Sequence, residues 1–130
     1  MIRVTLLNDE GRYYPLVFSM NAAEKIEDLY VPFEEIGNLM INPKKYGVNG
    51  VKMIKDILFI LMEEGIEYCK YHDLKTIRKK KICLEMPNEN EFFNFKAYKK
   101  QKEYINILYE CLLESKKKQS SIKEEKKNQE

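Results

Sequence analysis

The chain has no tryptophan, one histidine, three cysteines and five glycines, and each scarcity closes a class of explanation. Any Ser-His-Asp or Cys-His relay would have to use His72, and no nucleophile motif accompanies it. Cys69, Cys83 and Cys111 are odd in number and widely spaced, a poor disulfide framework. Reduced, partly buried thiols are expected. The glycines form neither Gly-x-Gly-x-x-Gly nor a Gly-Lys-Ser/Thr phosphate loop. Long apolar runs are lacking too: the longest, Ile57 to Met62, falls far short of the ~20 residues of a membrane helix. Met1-Ile2-Arg3-Val4 lacks the basic region, apolar region and cleavage site of a signal peptide, so a cytoplasmic protein is expected. No charge dominates either. The 23 basic residues against 21 acidic leave a net charge of +2, which excludes nucleic-acid binding through overall charge but leaves room for a local patch.

What is present suits a small folded protein. The 130 residues are 44% apolar and 34% charged. Ile2, Val4 and Leu6 alternate, then Asn8-Asp9-Glu10-Gly11 gives a turn signal, then Tyr14, Leu16 and Phe18 alternate again. This pattern predicts a β-hairpin at about 2–18. Pro15 cannot donate to a ladder, so it belongs at an edge or a bulge. Ser19 or Asn21 can cap a helix carrying Ala22, Ala23, Ile26, Leu29 and Tyr30, with Asn21 and Glu24 in capping-box spacing. Pro32 ends that helix and opens the next, whose stripe is Phe33, Ile36, Leu39 and Met40. After a Pro/Gly/Asn-rich connector, 51–64 is apolar around most of its circumference and reads as the central helix, ended or kinked at Gly65. A final amphipathic helix is expected over 91–114, with Phe95, Tyr98, Ile105, Leu108 and Leu112 inward. Residues 115–130 hold six Lys, three Glu and one isolated Ile, and read as a disordered charged tail. The expectation is therefore an α+β, mostly α fold. It has one domain over 1–114, built from a hairpin on four or five helices, and a flexible tail over 115–130.

Few constellations carry chemistry. Cys69-x-x-His72 offers two soft ligands one turn apart, but Cys83 and Cys111 supply no second short spacing, so no metal and no cofactor are expected. Adjacent carboxylates such as Glu34-Glu35 and Glu63-Glu64 diverge on a helix and read as solvated faces. Asp56, alone in the apolar helix, reads as lying on a narrow exposed strip beside Lys52 and Lys55. Two surfaces stand out. Lys75, Arg78, Lys79, Lys80 and Lys81 place five cations in seven residues, with Tyr68 and Tyr71 just before. Such a patch can grip single-stranded nucleic acid, but no recognisable nucleic-acid fold surrounds it and the overall charge is near neutral, so nucleic acid is not the expected partner. Phe92, Phe93, Phe95 and Tyr98 crowd one helix start. One face cannot bury all four, so some are free to meet a partner.

Arg12-Tyr13-Tyr14-Pro15-Leu16-Val17-Phe18-Ser19-Met20-Asn21-Ala22-Ala23-Glu24, continuing to Phe33-Glu34-Glu35-Ile36, resembles the tail assembly chaperones of long-tailed bacteriophages and prophages, including gene-transfer-agent relatives. Their pattern is a hairpin whose second strand reads like Tyr-Pro-Leu-x-Phe. An Ala/Glu-rich helix ending in an aromatic follows, then a short Phe-Glu-Glu-Ile-like helix and an apolar helix. The close match covers about 2–40. The family's usual Gly after the aromatic is here Val31-Pro32. The resemblance implies a non-enzymatic protein that binds the tape-measure protein and keeps it soluble while tail-tube subunits polymerise, with tail-tube contact and self-association left open. Phe92, Phe93 and Tyr98 are candidate partner contacts from aromatic excess alone. The alternative is a phage-encoded nucleic-acid-binding or regulatory protein using Lys75 to Lys81.

Overall fold

A computed structural model describes residues 2–113. The predicted tail, 115–130, lies outside them. The fold is α+β and mostly helical, with an N-terminal antiparallel hairpin packed against several helices. No helix among the described residues is long and apolar enough to cross a membrane.

Strands β1 (Val4–Asp9) and β2 (Arg12–Val17) are joined by Glu10 and Gly11, with φ of 53° and 86°. Two positive φ values in a two-residue loop match the right-handed twist of the strands. The Asn8 side chain accepts from the Gly11 N–H at 3.0 Å and holds the turn. The register pairs Leu7 with Tyr14 and Thr5 with Leu16, and these four are buried. The inward face of β1 is therefore Thr5, Leu7 and Asp9, while Val4 and Leu6 are only half-buried. Hydrogen-bonded pairs alternate from Asp9–Arg12 onward, so Leu6–Pro15 is a non-bonded pair and the missing Pro15 N–H costs no ladder bond. Pro15 sits on the outer edge of β2 as its chemistry requires, yet it is buried, because a helix covers that edge.

That helix is α3 (Gly50–Tyr71), capped by the Asn49 side chain, which accepts from the Lys52 N–H. It runs through Gly65 without ending there. A methyl group at residue 65 would lie 1.9 Å from the Pro15 carbonyl oxygen. Glycine serves here for close approach between helix and strand, not for flexibility.

Helix α1 (Met20–Leu29) is capped by Ser19, whose hydroxyl accepts from the Ala22 N–H at 3.1 Å; Asn21 lies inside the helix. Only Ala22 and Ile26 of its expected stripe are buried, and Leu29 is exposed. The Glu64 carboxylate of α3 accepts from Ser19 Oγ and Asn21 Nδ2 and pairs with Lys25 at 3.5 Å. Glu64 is thus a bracket between helices, whereas Glu63 is solvated. At the other end of α1, Tyr30 donates to Asp56 at 2.6 Å. Pro32 opens a 3-10 turn, Phe33–Glu35, leading into α2 (Ile36–Ile41), which buries Ile36, Leu39 and Met40.

Beyond α3 comes a miniature hairpin, β3 (Thr76–Ile77) and β4 (Lys80–Lys81), turned by Arg78 and Lys79 at φ 49° and 67°. Neither is glycine or asparagine, and each such residue costs about 1 kcal/mol or more. The chain then docks on β2: Ile82 bridges Tyr13 in parallel, and the Cys83 N–H donates to the Tyr13 carbonyl at 2.8 Å.

The expected helix over 91–114 is broken. Asn90–Asn94 forms one π-helical turn, with the Phe95 N–H bonded to the Asn90 carbonyl. A 3-10 turn, Tyr98–Lys100, then leads into α4, residues 101–113. The break overturns only the first part of the predicted inward face: Leu108 and Leu112 are inward as expected and Ile105 is half-buried. Phe95 and Tyr98 are exposed, while Tyr104, Leu108, Cys111 and Leu112 are buried.

Gly65→Ala should destabilise the protein by about 3 kcal/mol or more, since the new methyl meets backbone that cannot rotate aside. Gly37→Ala is the control: its nearest neighbour would be 3.9 Å away, so urea titration should show a change within about 1 kcal/mol.

Candidate functional site

The break before α4 creates an apolar concavity on the surface. Its floor is Ile54 of α3, Phe93 of the π turn and Tyr104 of α4; its walls are Val51, Ala97 and Tyr98. Lys55, Asn94, Lys96, Lys100 and Gln101 form a polar rim. The cavity is about 290 Å³. That is at or below the lower end for small-molecule sites and suits one or two inserted side chains.

An aromatic cluster holds the floor in place. Phe92 and Phe93 pack edge to face at 4.7 Å, and Phe59 of α3 lies 4.8 Å from Phe93. Tyr14 of the hairpin and Tyr104 of α4 lie 5.7 and 5.6 Å from Phe92. Lys55 Nζ donates to Asn94 Oδ1 at 2.8 Å and tethers the π turn to α3.

Lys96 of the rim also enters a polar knot. Lys96 Nζ reaches Asp9 Oδ1 at 2.7 Å, and both side chains are nearly buried. The ammonium also lies 5.5 Å from the centre of the Phe92 ring. The Tyr104 hydroxyl donates to Asp9 at 3.5 Å and to the Phe92 carbonyl at 3.3 Å. Burial first, then the Asp9 charge, pushes Tyr104 well above the ordinary tyrosine range, so it remains a donor. The knot ties the hairpin turn to the chain entering α4. The sequence offered no local signal for it, because Asp9 and Lys96 are 87 positions apart.

Of the three aromatics expected to meet a partner, the structure places Phe92 and Phe93 in the core, at 2% and 8% exposure. Only one edge of Phe93 reaches the groove. Tyr98 is free at 78%, and Val51, which aromatic excess could not reveal, joins it at 41%.

The five cations Lys75, Arg78, Lys79, Lys80 and Lys81 are all exposed and gathered on the β3–β4 hairpin. Arg78 donates to the Val4 carbonyl at 3.1 Å, and Lys80 lies over the Tyr13 ring at 5.4 Å. They belong to a surface separate from the groove, sharing none of its lining residues.

The remaining candidates are structural. Asp56 is half-buried and accepts from Tyr30 and from Lys52 at 2.9 Å. The connector before α3 is ordered by the Pro43–Tyr46 turn, Gly47 at φ 69°, and Tyr46 donating to Glu35 at 2.6 Å. The Tyr46 and Asn38 hydrogen bonds hold the Glu35 carboxyl below its usual range. His72 ends α3 beside the rings of Tyr68 and Tyr71. Among the described residues no group of three His, Cys, Asp or Glu side chains could hold a metal ion. The cysteines are unpaired with one another, with Cys69 and Cys111 buried and Cys83 half-buried.

Burial raises both the Cys69 and Cys111 thiols, the latter to about 11. Since the thiolate is the nucleophile, both should resist alkylation in the native state. Iodoacetamide at pH 7.5, read by peptide mass spectrometry, should modify Cys83 first, with Cys69 and Cys111 reacting only in denaturant.

No protein-family model matches the chain, and comparison with curated proteins and with solved structures gives no match.

Proposed function

We propose that this chain is a non-enzymatic tail assembly chaperone of a long-tailed phage or prophage, working in the bacterial cytoplasm on the tape-measure protein. The observation that carries the reading is the apolar groove at the break before α4, where Val51 and Tyr98 stand exposed beside a floor of Ile54 and Phe93. The hairpin followed at once by α1 and a short Phe-Glu-Glu-Ile helical segment also keeps the element order of the family that residues 12–36 resemble.

The physics of the task fits such a groove. A tape-measure chain is long and helical, with apolar stripes that aggregate when left uncovered. An amphipathic helix presents side chains at i and i+3 or i+4, and a small groove takes one or two of them. Few anchors around a polar rim give moderate affinity, because most contacts at an interface contribute little beyond excluding water. Moderate affinity matters, since polymerising tube subunits must displace the chaperone.

The test is coexpression with the cognate tape-measure protein, followed by affinity capture. The soluble tape-measure fraction should rise with this chain present. Val51→Ser with Tyr98→Ser should weaken capture about tenfold or more while circular dichroism stays unchanged. Phe92→Ser and Phe93→Ser are unsuitable probes, because emptying a buried phenylalanine site costs about 3–5 kcal/mol and the fold itself would fail. No gain in soluble tape-measure protein, or full capture by the double variant, would sink the reading.

A further inference from the structure

The β3–β4 hairpin is turned by two consecutive non-glycine residues at positive φ, and it is anchored to β1 by Arg78, which donates to the Val4 carbonyl. Arg78 and Lys79 both hold positive φ, where asparagine or glycine would fit without strain. Strain of this kind persists where the side chains it displays have a use. Here it displays charge. Lys75, Arg78, Lys79, Lys80 and Lys81 are exposed, and none has a carboxylate within 4 Å among the described residues. Among the other described residues Arg3, Lys25, Lys52, Lys55, Lys96 and Lys100 have acidic partners, whereas the unpaired cations Arg12, Lys44, Lys45, Lys70, Lys99 and Lys102 form no cluster of five in seven residues. Clustering five unpaired cations raises the free energy of the protein alone, and a polyanion would relieve it.

An aromatic platform adjoins the hairpin. Tyr71 is 85% exposed at the end of α3, and the His72 ring lies 5.1 Å from it and 4.4 Å from Tyr68. Lys75 lies four positions after Tyr71, past His72, Asp73 and Leu74, which limits the Cα separation to about 14 Å. The cleft on the other side, beyond Lys81, sets Arg12 and Lys81 against Glu85 and Glu91, so it carries no excess of positive charge. Lys80 already covers the Tyr13 ring, so the strongly exposed ring near the cations is that of Tyr71.

We infer that the β3–β4 hairpin and the Tyr71–His72 platform form a binding surface for single-stranded nucleic acid. The cations take phosphates without reading sequence, and the rings stack unpaired bases. A duplex offers the phosphates but keeps its bases stacked inside, so it engages half of the surface. A lipid headgroup layer offers charge and nothing to stack. This inference is independent of the groove at Val51 and Tyr98.

The experiment uses the full chain and a fluorescein-labelled dT20 strand, with binding followed by anisotropy. For about four phosphates contacted, affinity should fall about 50-fold between 50 and 200 mM salt. Tyr71→Ala should weaken binding about fivefold or more. Arg78→Asn with Lys79→Gly removes two charges and the Arg78–Val4 hydrogen bond while placing turn-favoured residues, so these opposing effects should leave the melting temperature close to that of the parent. That variant should bind at least tenfold more weakly, with the salt slope reduced by about 1.4. Tape-measure capture by the same variant should be unaltered. Absence of salt-sensitive binding at 50 mM would overturn the inference, as would undiminished binding by the turn variant. Retention on phosphatidylserine vesicles without oligonucleotide binding would overturn it too, by assigning the patch to a membrane surface.

Discussion

The hairpin lies on α3 only because residue 65 carries no side chain. The Pro15 carbonyl occupies the space a methyl group at Gly65 would need. That contact draws β2 onto the helix, and it is made by two residues poor at propagating regular structure. Proline leaves its side of the strand edge without a donor, and glycine leaves its side of the helix without bulk. Two irregularities placed against each other make one close-packed joint, and the rest of the chain is arranged around it.

Three brackets consolidate this joint. Glu64 binds the first turn of α1 through Ser19, Asn21 and Lys25, and Asp56 takes the Tyr30 hydroxyl at the far end. Asp9, at the hairpin turn, reaches Lys96 and Tyr104 on the chain entering α4. Each bracket is an acid held between elements distant in sequence. A nearly buried pair such as Asp9–Lys96 adds little net stability over apolar packing, but either charge alone would be costly there. It joins the hairpin turn to Lys96, in the stretch between the π turn and α4 where the chain is not helical.

The two candidate surfaces follow from opposite circumstances. The groove exists because Tyr98 and Val51 are left over once Phe92, Phe93 and Tyr104 have filled the core. The basic hairpin stands out because five exposed cations fall within seven residues with no carboxylate within reach among the described residues. One surface would recognise an apolar stripe, the other a polyanion, and neither depends on a catalytic group.

Local chemistry alone determined the hairpin, its turn at Glu10 and Gly11, the helix over 20–29, the Pro32 break and the apolar face of α3. These are settled by neighbours within a few residues: alternation, a capping side chain, a φ that glycine permits. Residues 12–36 also carried the family resemblance, since that stretch is built from such local signals. Tertiary structure decided what local patterns could not. Gly65 read as a stop and is a contact, because the partner that makes it one lies fifty positions earlier. Glu64 read as solvated and is a bracket for the same reason. The predicted helix over 91–114 is interrupted because Phe92 and Phe93 both enter the aromatic cluster. Neighbouring residues on a regular helix point about 100° apart, and only a locally widened turn buries both. Which aromatics are left free for a partner was therefore decided by the packing of Tyr14, Phe59 and Tyr104, not by the spacing of the phenylalanines themselves.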